Sequence, residues 1–548
     1  MTTKQVLKRF LGEVPFTAEL YWLLRQNGRP ITRFSLKRLQ DHIPQLMEEA
    51  ARLASAAQPT GRHIFIFASL HYWIEHAAML ALGLAAQGNR VTLGYLPYGE
   101  WLKPIDRFDL RRQNVYARRV LEQLSPLVQC VSFLNLRGVN TLPAALLEAV
   151  QTVSTYDTQY TLQIEEFDPG DATYQLRLER NTAVAQTALA WLQANRPDTV
   201  IVPNGTIQEM GVVYRVARHL DIPAVTYEFG DQRQRIWLAL NSEIMRQDTD
   251  ALWQAYNGAP LTEEQMGRMK SLMMARQRAT IWQNFARRWQ SEPAQGGQKL
   301  RAELGLDERP VVLLATNVLG DSLTLGRQVF SRTMAEWISR TVQYFIGRPD
   351  VQLVIRVHPG EVLTRGQSMV DVVRQVLPRL PEHIHLIKPK DKVNTYDLVE
   401  VADLGLVYTT TVGMEMAMAG LPVLVAGRTH YRGRGFTYDP ESWVTYFKML
   451  GQMTDRPQAF RLSDEQVHTA WQYAYHFFFD FPQPFPWHLV RLWDDVDARP
   501  LATVFSDPAY VRTFAYLAGQ PVTYAVPTNE VEQAMDATES QATREEQA

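Results

Sequence analysis

Short apolar runs separated by amphipathic stretches recur in two parts of the chain. In the first part, the apolar run 63–68 is followed by a helical pattern that ends at Gly88 and by a second apolar run at 91–96. A strand, a helix and a strand in this order form a βαβ unit with two parallel strands. We predict further strands at 127–133, 199–203 and 224–228 and helices at 174–194 and 208–220. This part therefore predicts a doubly wound α/β domain.

The same alternation returns after residue 300. Residues 240–300 have a helical, amphipathic pattern, and the turn-rich stretch 291–297 ends it. A second α/β pattern follows, with predicted strands at 311–315, 351–357, 383–387, 404–408 and 422–426 and helices at 334–346 and 412–419. The fold class that we predict is α/β, with two doubly wound domains.

The two ends of the chain differ from these parts. The first helix that the pattern predicts carries apolar side chains on one face, at Val6, Leu7, Phe10, Leu11 and Val14. Two interpretations of this face stay open: a helical lid packed on the main domain, and an amphipathic contact with a membrane surface. The chain beyond residue 456 is helical and rich in aromatic residues, and its last part is polar.

These patterns divide the 548 residues into five units. We predict an N-terminal helical segment at 1–60, a first α/β domain with a helical extension at 61–300, a second α/β domain at 301–455, C-terminal helices at 456–526 and a disordered tail at 527–548.

Composition narrows the class of protein. The hydrophobic fraction of 46% and the charged fraction of 21% are typical of soluble globular proteins. The formal net charge of −2 excludes a chain-wide basic surface, so we expect no nucleic-acid partner. A single cysteine, Cys130, excludes a disulfide framework and a Cys-rich metal site. We recognise no signal peptide or transmembrane segment and expect a cytoplasmic protein.

A cluster of hydroxyl groups lies where a predicted strand meets a helix. Thr409, Thr410 and Thr411 follow the strand 404–408, and Glu415 lies one turn inside the helix. Helix starts bind anions, threonine hydroxyls donate to phosphate oxygens, and a carboxylate accepts hydrogen bonds from ribose hydroxyls. Ordinary helix capping explains the same residues without a ligand. The junction is therefore a candidate phosphate and ribose site with a structural alternative.

Basic and aromatic residues follow the neighbouring strands. Arg356 and His358 lie at the carboxyl end of the strand 351–357, the edge at which open α/β sheets bind ligands. An arginine can pair with a phosphate through two nitrogens, and a histidine can bond a phosphate or a ribose. Further candidates occur in loops that follow strands and that solvation alone also explains, namely Lys388, Tyr431 and Arg432.

Three motifs follow one another in the second α/β part. They are His358-Pro-Gly-Glu361, Thr410-Thr-Val-Gly-Met-Glu415 with Ala419-Gly-Leu-Pro-Val423, and His430-Tyr-Arg-Gly-Arg-Gly-Phe-Thr437. Together they resemble the motifs of bacterial capsule polysaccharide biosynthesis proteins. Those proteins are similar in fold to GT-B glycosyltransferases and to UDP-N-acetylglucosamine 2-epimerase. The resemblance is clearest over residues 310–445.

The resemblance implies two Rossmann-like domains that face each other across a GT-B-like cleft. A nucleotide-sugar donor would bind the C-terminal domain, the acceptor and the base would lie in the N-terminal domain, and the last helices would cross back to that domain. Carried over by position, His358 would contact the donor phosphate or ribose, Thr409 to Thr411 the phosphates and Glu415 the ribose. Such enzymes typically need no metal ion, and we expect no cofactor.

The residue that would act as base stays open. An inverting transfer needs a carboxylate or imidazole near the acceptor hydroxyl. Loops that follow three strands of the first domain carry such groups in pairs. The pairs are His71 with Glu75, Asn204 with Glu209, and Glu228 with Asp231. We retain Glu228, His71 and Asp231 as catalytic candidates, although helix capping or ion pairing explains each of them equally simply.

We therefore predict a metal-independent, GT-B-type glycosyltransferase that acts on a surface polysaccharide or a lipid-linked precursor. Three alternatives share the nucleotide site: an isomerase of the 2-epimerase type, a CDP-polyol phosphotransferase, and a non-catalytic scaffold that binds nucleotide sugars. A membrane contact through residues 1–60 would place the protein at the inner face of the membrane.

Overall fold

Two largely parallel β-sheets, each flanked by helices, form the framework of the protein. The computed structural model describes residues 3–26, 29, 34–101, 103–285 and 291–524. The predicted fold class, α/β with two doubly wound domains, is confirmed. The predicted tail 527–548 lies outside the described residues, and the predicted domain boundaries stay predictions.

The first domain is built on a sheet in the order β6-β5-β4-β1-β2-β3. Its strands are β1 (His63–Ser69), β2 (Arg90–Leu96), β3 (Val128–Ser132), β4 (Thr199–Pro203), β5 (Ala224–Glu228) and β6 (Arg235–Leu240). Its helices are α1 (Thr3–Glu13), α2 (Thr17–Arg25), α3 (Lys37–Ala56), α4 (His71–Ala86), α5 (Arg107–Leu121), α6 (Ala144–Leu162), α7 (Ala172–Asn195) and α8 (Gln208–His219).

The first five strands are parallel, and their register explains their composition. Strands β1 and β2 pair from His63 opposite Arg90 to Ser69 opposite Leu96. Every residue of β1 and β4 is buried, because helices cover both faces of the sheet. Parallel strands that are covered on both faces are continuous apolar runs, and that is the pattern from which they were predicted.

The second domain repeats this strand order. Its strands are β7 (Val311–Ala315), β8 (Gln352–Arg356), β9 (Ile384–Ile387), β10 (Leu404–Val407) and β11 (Val423–Val425), in the order β11-β10-β7-β8-β9. The helices between β6 and the end of this domain are α9 (Asp250–Tyr256), α10 (Glu263–Gln277), α11 (Gly297–Leu304), α12 (Met334–Ile346), α13 (Met369–Val376), α14 (Thr395–Val401), α15 (Val412–Met418) and α16 (Trp443–Asp455). The two sheets thus share one topology, with the first strand of each in the centre.

The C-terminal part of the chain crosses back from the second domain to the first. Helix α17 (Asp464–Phe479) packs in the core of the second domain, and the short strand β12 (Gln483–Pro484) then pairs antiparallel with β6. The last helices, α18 (Leu492–Ala498), α19 (Leu501–Val504) and α20 (Pro508–Leu517), contribute to the core of the first domain. This confirms the crossing that the resemblance implied.

The first two helices pack on the body of the first domain. The Arg111 guanidinium of α5 donates to the backbone oxygens of Gly12 at 2.9 Å and Val14 at 2.8 Å, and it pairs with Glu19 of α2. The segment therefore packs on the first domain, and its contact with a membrane surface stays a prediction. None of the helices in the described part of the chain is long and apolar enough to cross a lipid bilayer.

Candidate active site

A cleft of about 560 Å³ lies between the two domains. Residues that follow β4 and β5 line one wall, and residues that follow β7, β8 and β10 line the other. Since the carboxyl ends of parallel strands meet at one edge of a sheet, the two sheets present their ligand-binding edges to each other. The cleft is therefore the candidate active site.

Glu228 lies on the wall of the first domain, at the end of β5. Its Oε2 accepts a hydrogen bond from Asn204 Nδ2 at 3.0 Å, and its Oε1 accepts one from the Phe229 backbone N–H at 3.0 Å. Asp231 lines the same wall. The two bonds fix the direction of the Glu228 carboxylate at the wall of the cleft.

His358 faces Glu228 from the second domain, just beyond β8. Its Nδ1 accepts a hydrogen bond from the Gly360 backbone N–H at 3.0 Å. Burial, together with the nearby Arg356 charge, lowers the pKa of His358 to about 4. The ring is thus neutral at pH 7, and because Nδ1 is an acceptor, the proton lies on Nε2.

Arg356 also lines the cleft, but its guanidinium is largely committed to the protein. Its two terminal nitrogens donate to the backbone oxygens of Lys388 at 2.8 Å and Val393 at 3.2 Å. Burial lowers the pKa of Arg356 to about 10, which still leaves it charged at pH 7. Its Nε is buried without a hydrogen-bond partner in the described part of the chain.

The three threonines follow β10 and form the adjoining part of the wall. The Thr409 backbone N–H donates to Asn317 Oδ1 at 3.1 Å, and the Thr410 carbonyl accepts from the Tyr431 hydroxyl at 2.7 Å. The Thr409 hydroxyl is buried and has no hydrogen-bond partner among the residues described. The hydrogen bonds to Asn317 and from Tyr431 hold the turn between β10 and α15 in place.

Glu415 lies one turn further on and is part of a three-residue cluster. Its Oε1 pairs with Arg276 Nη1 at 2.6 Å, and its Oε2 accepts from the Tyr396 hydroxyl at 2.9 Å. Arg276 also lies over the Phe478 ring, at 4.7 Å from the centroid. Burial alone would lower the pKa of Arg276, but the carboxylates of Glu415 and Asp231 raise it above its ordinary value.

The structure brings eight of the twelve predicted site residues to the cleft and leaves four outside it. The eight are Glu228, Asp231, Arg356, His358, Thr409, Thr410, Thr411 and Glu415. Their roles toward a ligand stay predictions.

The four others have structural positions. His71 lines a different cavity. The Lys388 side chain is exposed, and only its backbone oxygen meets the site, through Arg356. Tyr431 is fully buried behind Thr410, and Arg432 binds the Val425 and Pro440 carbonyls and Glu441. The sequence placed each of them after a strand but did not show where its side chain points.

Two further residues that sequence reasoning weighed for the first domain are also engaged elsewhere. Glu209 is buried and accepts a hydrogen bond from the Ser69 hydroxyl at 2.8 Å. Glu75 accepts one from the Trp493 indole N–H at 3.2 Å.

Sequence reasoning missed three residues of the site. Asn317 comes directly after Ala315 and Thr316 at the end of β7, so the rule that found His358 would have found it too. Arg276 gave no signal, because it reaches Glu415 from a helix distant in the sequence, and Tyr396 lies on α14, where no strand end marks it. In the described part of the chain, no group of three His, Cys, Asp or Glu side chains is arranged to hold a metal ion.

Residues 277–477 match the sequence model of a family described as capsule polysaccharide biosynthesis protein. This range includes His358, the three threonines, Glu415 and the loop at 428–437. It also contains residues 310–445, over which the resemblance was predicted. Comparison with curated proteins gave no match.

Comparison with solved structures gave matches of low sequence identity, three of which follow. The chain is similar to KpsC of Thermosulfurimonas dismutans, a beta Kdo 2,4 transferase, with 18% identity over 50% of this chain and 79% of that chain and a TM-score of 0.34. It is similar to the UDP-GlcNAc 2-epimerase of Neisseria meningitidis bound to UDP-GlcNAc, with 12% identity over 76% and 100% and a TM-score of 0.23. It is also similar to MurG of Acinetobacter baumannii, with 13% identity over 80% and 99% and a TM-score of 0.27.

The family match begins at Gln277, the last residue of α10, and covers the second domain and most of α17. It confirms the predicted resemblance to capsule polysaccharide biosynthesis proteins over these residues.

Proposed function

We propose that the protein is a glycosyltransferase that moves a sugar from a nucleotide-sugar donor to a saccharide or lipid-linked acceptor. The observation that carries the proposal is the cleft itself, with Glu228 on one wall and His358 and Thr409 on the other. Transfer between two bound substrates needs a base on the acceptor side and anion-binding groups on the donor side. The two walls supply these two kinds of group.

Hydrogen-bond donors on the wall of the second domain support phosphate binding. The Thr409 hydroxyl and Arg356 Nε are both buried and lack a partner among the described residues. Buried polar groups in native proteins are nearly always paired, so two orphaned donors beside one cleft indicate a ligand that pairs them. Arg356 supplies the positive charge on this wall.

Glu228 is the base in this proposal. The acceptor O–H proton passes to the Glu228 carboxylate while the acceptor oxygen forms a bond to the anomeric carbon. The bond from that carbon to the phosphate oxygen breaks, and its electron pair leaves with the nucleotide. Donors around the phosphate stabilise the charge that develops there, so the step needs no metal ion.

The first two helices support contact with a membrane surface, where a lipid-linked acceptor would be found. Phe10, Phe16 and Leu24 of this segment are 66%, 72% and 75% exposed. Large apolar side chains that stay exposed on a packed segment are typical of an interaction surface.

Nucleotide binding tests the donor half of the proposal. UDP, GDP, CMP and CDP are titrated by calorimetry into the unmodified protein and into variants Thr409→Val and His358→Ala. We expect at least one nucleotide to bind and each variant to bind it about tenfold more weakly, since each loses one hydrogen bond to an anion. Thr469→Val, on the exposed side of α17, is the matched control and should bind as the unmodified protein does. If none of the four nucleotides binds the unmodified protein, the proposal is wrong.

Turnover tests the acceptor half. A panel of nucleotide sugars is incubated with the protein and saccharide acceptors, and nucleotide release and product mass are followed. Glu228→Gln should reduce the rate by roughly 10²-fold to 10⁴-fold and leave nucleotide affinity unchanged. A sugar that is altered without any acceptor would instead identify an isomerase.

A further inference from the structure

A second cavity of about 400 Å³ lies on the first domain, outside the cleft. It forms where the start of α3, the start of α4 and the segment 489–493 meet. Three separate parts of the chain thus contribute to its walls, including the C-terminal segment that crosses back from the second domain.

Glu75 connects the elements that line this cavity through two hydrogen bonds. The two carboxylate oxygens of Glu75 accept hydrogen bonds from the Leu39 backbone N–H at 3.4 Å and from the Trp493 indole N–H at 3.2 Å. These bonds tie α3 and the crossing segment to α4. The Trp493 ring is further fixed by stacking on His42 at 4.6 Å. The cavity is therefore lined by side chains whose positions are set before any ligand arrives.

His71 brings an unused hydrogen-bonding group to this cavity. Its Nδ1 is buried and has no partner among the residues described. Burial lowers the pKa of His71, so its imidazole is neutral at pH 7. A neutral imidazole nitrogen suits a hydroxyl group, which both donates and accepts hydrogen bonds.

Positive charge lies at the rim. Lys37 and Arg38 line the cavity, and their side chains are 69% and 63% exposed. Each is paired with an exposed carboxylate, Lys37 with Asp41 at 2.9 Å and Arg38 with Asp494 at 3.5 Å. Exposed pairs of this kind contribute little stability, so an anionic ligand can replace them.

Tyr72 connects this cavity with the cleft. It lines the cavity, and burial together with the charges of Tyr160, Glu228 and Glu209 raises its pKa. The next residue, Trp73, stacks with Phe229 of the cleft wall at 6.3 Å. The two sites are thus neighbours, because the Glu228 charge acts on Tyr72 and the residue next to Tyr72 packs on the cleft wall.

We infer that this cavity is a subsite for an acidic sugar residue of the acceptor chain, distal to the residue whose hydroxyl is at Glu228. The inference rests on the proposed function. Aromatic rings of Tyr72 and Trp493, the free nitrogen of His71 and the cations of Lys37 and Arg38 form the combination that binds a sugar ring bearing a carboxylate or phosphate.

Binding of defined oligosaccharides tests the inference. The probes are tetramers of sialic acid, of galacturonic acid and of hyaluronan, with maltotetraose as the neutral counterpart, each titrated into the full chain at low salt. We expect at least one acidic tetramer to bind at least fivefold more tightly than maltotetraose. We expect Lys37→Gln with Arg38→Gln to abolish that preference and His71→Ala to weaken binding of the acidic tetramer about fivefold. Exposed Arg52→Gln, on the same helix as Lys37 but outside the cavity, is the control and should change nothing.

The outcomes separate this inference from the function on which it rests. If no acidic tetramer binds, or if the double variant binds it as tightly as the unmodified protein does, the subsite is wrong. Nucleotide titration of the same double variant is measured in parallel and should be unchanged. Nucleotide binding without oligosaccharide binding overturns the subsite alone, whereas failure of nucleotide binding overturns the proposed transferase.

Discussion

The carboxylate of Glu165, in the first domain, accepts hydrogen bonds from the backbone N–H of Met334 in the second domain. The Met334 bond is 2.7 Å, and a second one from the Ala335 N–H is 2.8 Å. Both donors lie in the first turn of α12, where N–H groups have no partner within the helix. Glu165 thus caps a helix of the opposite domain and holds the two walls of the cleft together.

Replacing Glu165 should open the cleft. Glu165→Ala removes the hydrogen bonds to the Met334 and Ala335 N–H groups. Loss of a helix cap of this kind typically costs about 1 kcal/mol. We expect a larger radius of gyration by small-angle scattering and a higher KM for the donor, because a more open cleft must close before it reacts. The neighbouring Glu166 is exposed, so Glu166→Ala is the matched control. If Glu165→Ala and Glu166→Ala have the same radius of gyration, Glu165 does not hold the two domains together.

Changes at Glu415 separate a ligand role from a structural one. Glu415→Gln leaves Arg276 without its ionic partner, so we expect the stability of the protein to fall by about 1–3 kcal/mol even without nucleotide. Tyr396→Phe removes one hydrogen bond from the same carboxylate and should cost about 1 kcal/mol. Urea unfolding and nucleotide titration are measured on both variants. A Glu415→Gln protein of normal stability that has lost nucleotide binding would indicate that the carboxylate contacts the ligand directly.

The extent to which the fold was predictable follows from what holds each element in place. Strands β4, β5 and β7 have the predicted bounds, because each is an apolar run that both faces of its sheet bury. Strand β6 was not predicted. It pairs antiparallel with β5 near the edge of the sheet, and three of its six residues are only partly buried. Strand β12 has two residues and exists because the crossing segment passes β6, a tertiary contact that no local pattern indicates.

The positions of the site residues were predictable from the sequence, but the directions of their side chains were not. The position of a residue at the carboxyl end of a parallel strand follows from topology, and that placed Glu228, His358 and Thr409 at the cleft. The direction of a side chain beyond the strand does not follow from topology. Arg432 therefore binds the carbonyls of Val425 in β11 and of Pro440, and Arg276 reaches the site from a helix with no motif of its own.

Gly413 should tolerate no side chain, because it lies against the Tyr431 ring, whose hydroxyl donates to the Thr410 carbonyl. A Cβ at this position would meet the Tyr431 hydroxyl and lie 2.9 Å from Val407 Cγ2. Tyr431 is fully buried, so Gly413→Ala forces a shift of the turn and should cost about 1–3 kcal/mol in the free energy of unfolding. Gly267→Ala in α10 is the comparison, since nothing lies within 4 Å of its Cβ. That variant should gain about 0.5–1 kcal/mol from helix propensity, and equal effects at the two glycines would contradict the packing argument.

Acid should destabilise the protein through its buried histidines. Burial lowers the pKa of His358 to about 4 and that of His76 to about 3, whereas both have a pKa near 6.5 in the unfolded chain. Between pH 6.5 and about 4 the unfolded state therefore binds more protons, and the free energy of unfolding falls as pH falls. Above pH 6.5 both states are neutral at these residues and the contribution is constant.

The variant His358→Asn isolates one of these contributions, since its amide oxygen replaces Nδ1 as acceptor for the Gly360 N–H. We expect the variant to lose up to about 3 kcal/mol less than the unmodified protein when pH is lowered from 7 to 4.5. Urea unfolding at four pH values measures the two slopes. Parallel slopes would mean that His358 takes up its proton equally well in the folded state.

The apolar surface of α1 and α2 should bind lipid bilayers. We compare the unmodified protein with the triple variant Phe10→Ser, Phe16→Ser, Leu24→Ser, whose side chains are all largely exposed and so contribute little to folding. Each large apolar side chain that enters the interface contributes roughly 1.5–3 kcal/mol when it is fully buried, so loss of three should reduce binding to vesicles by at least tenfold. Flotation with vesicles of anionic and of neutral lipids measures the bound fraction, and circular dichroism checks that the variant is folded. A triple variant that floats with the vesicles as the unmodified protein does would show that this surface faces a protein or solvent instead, and the acceptor would then have to reach the cleft from solution.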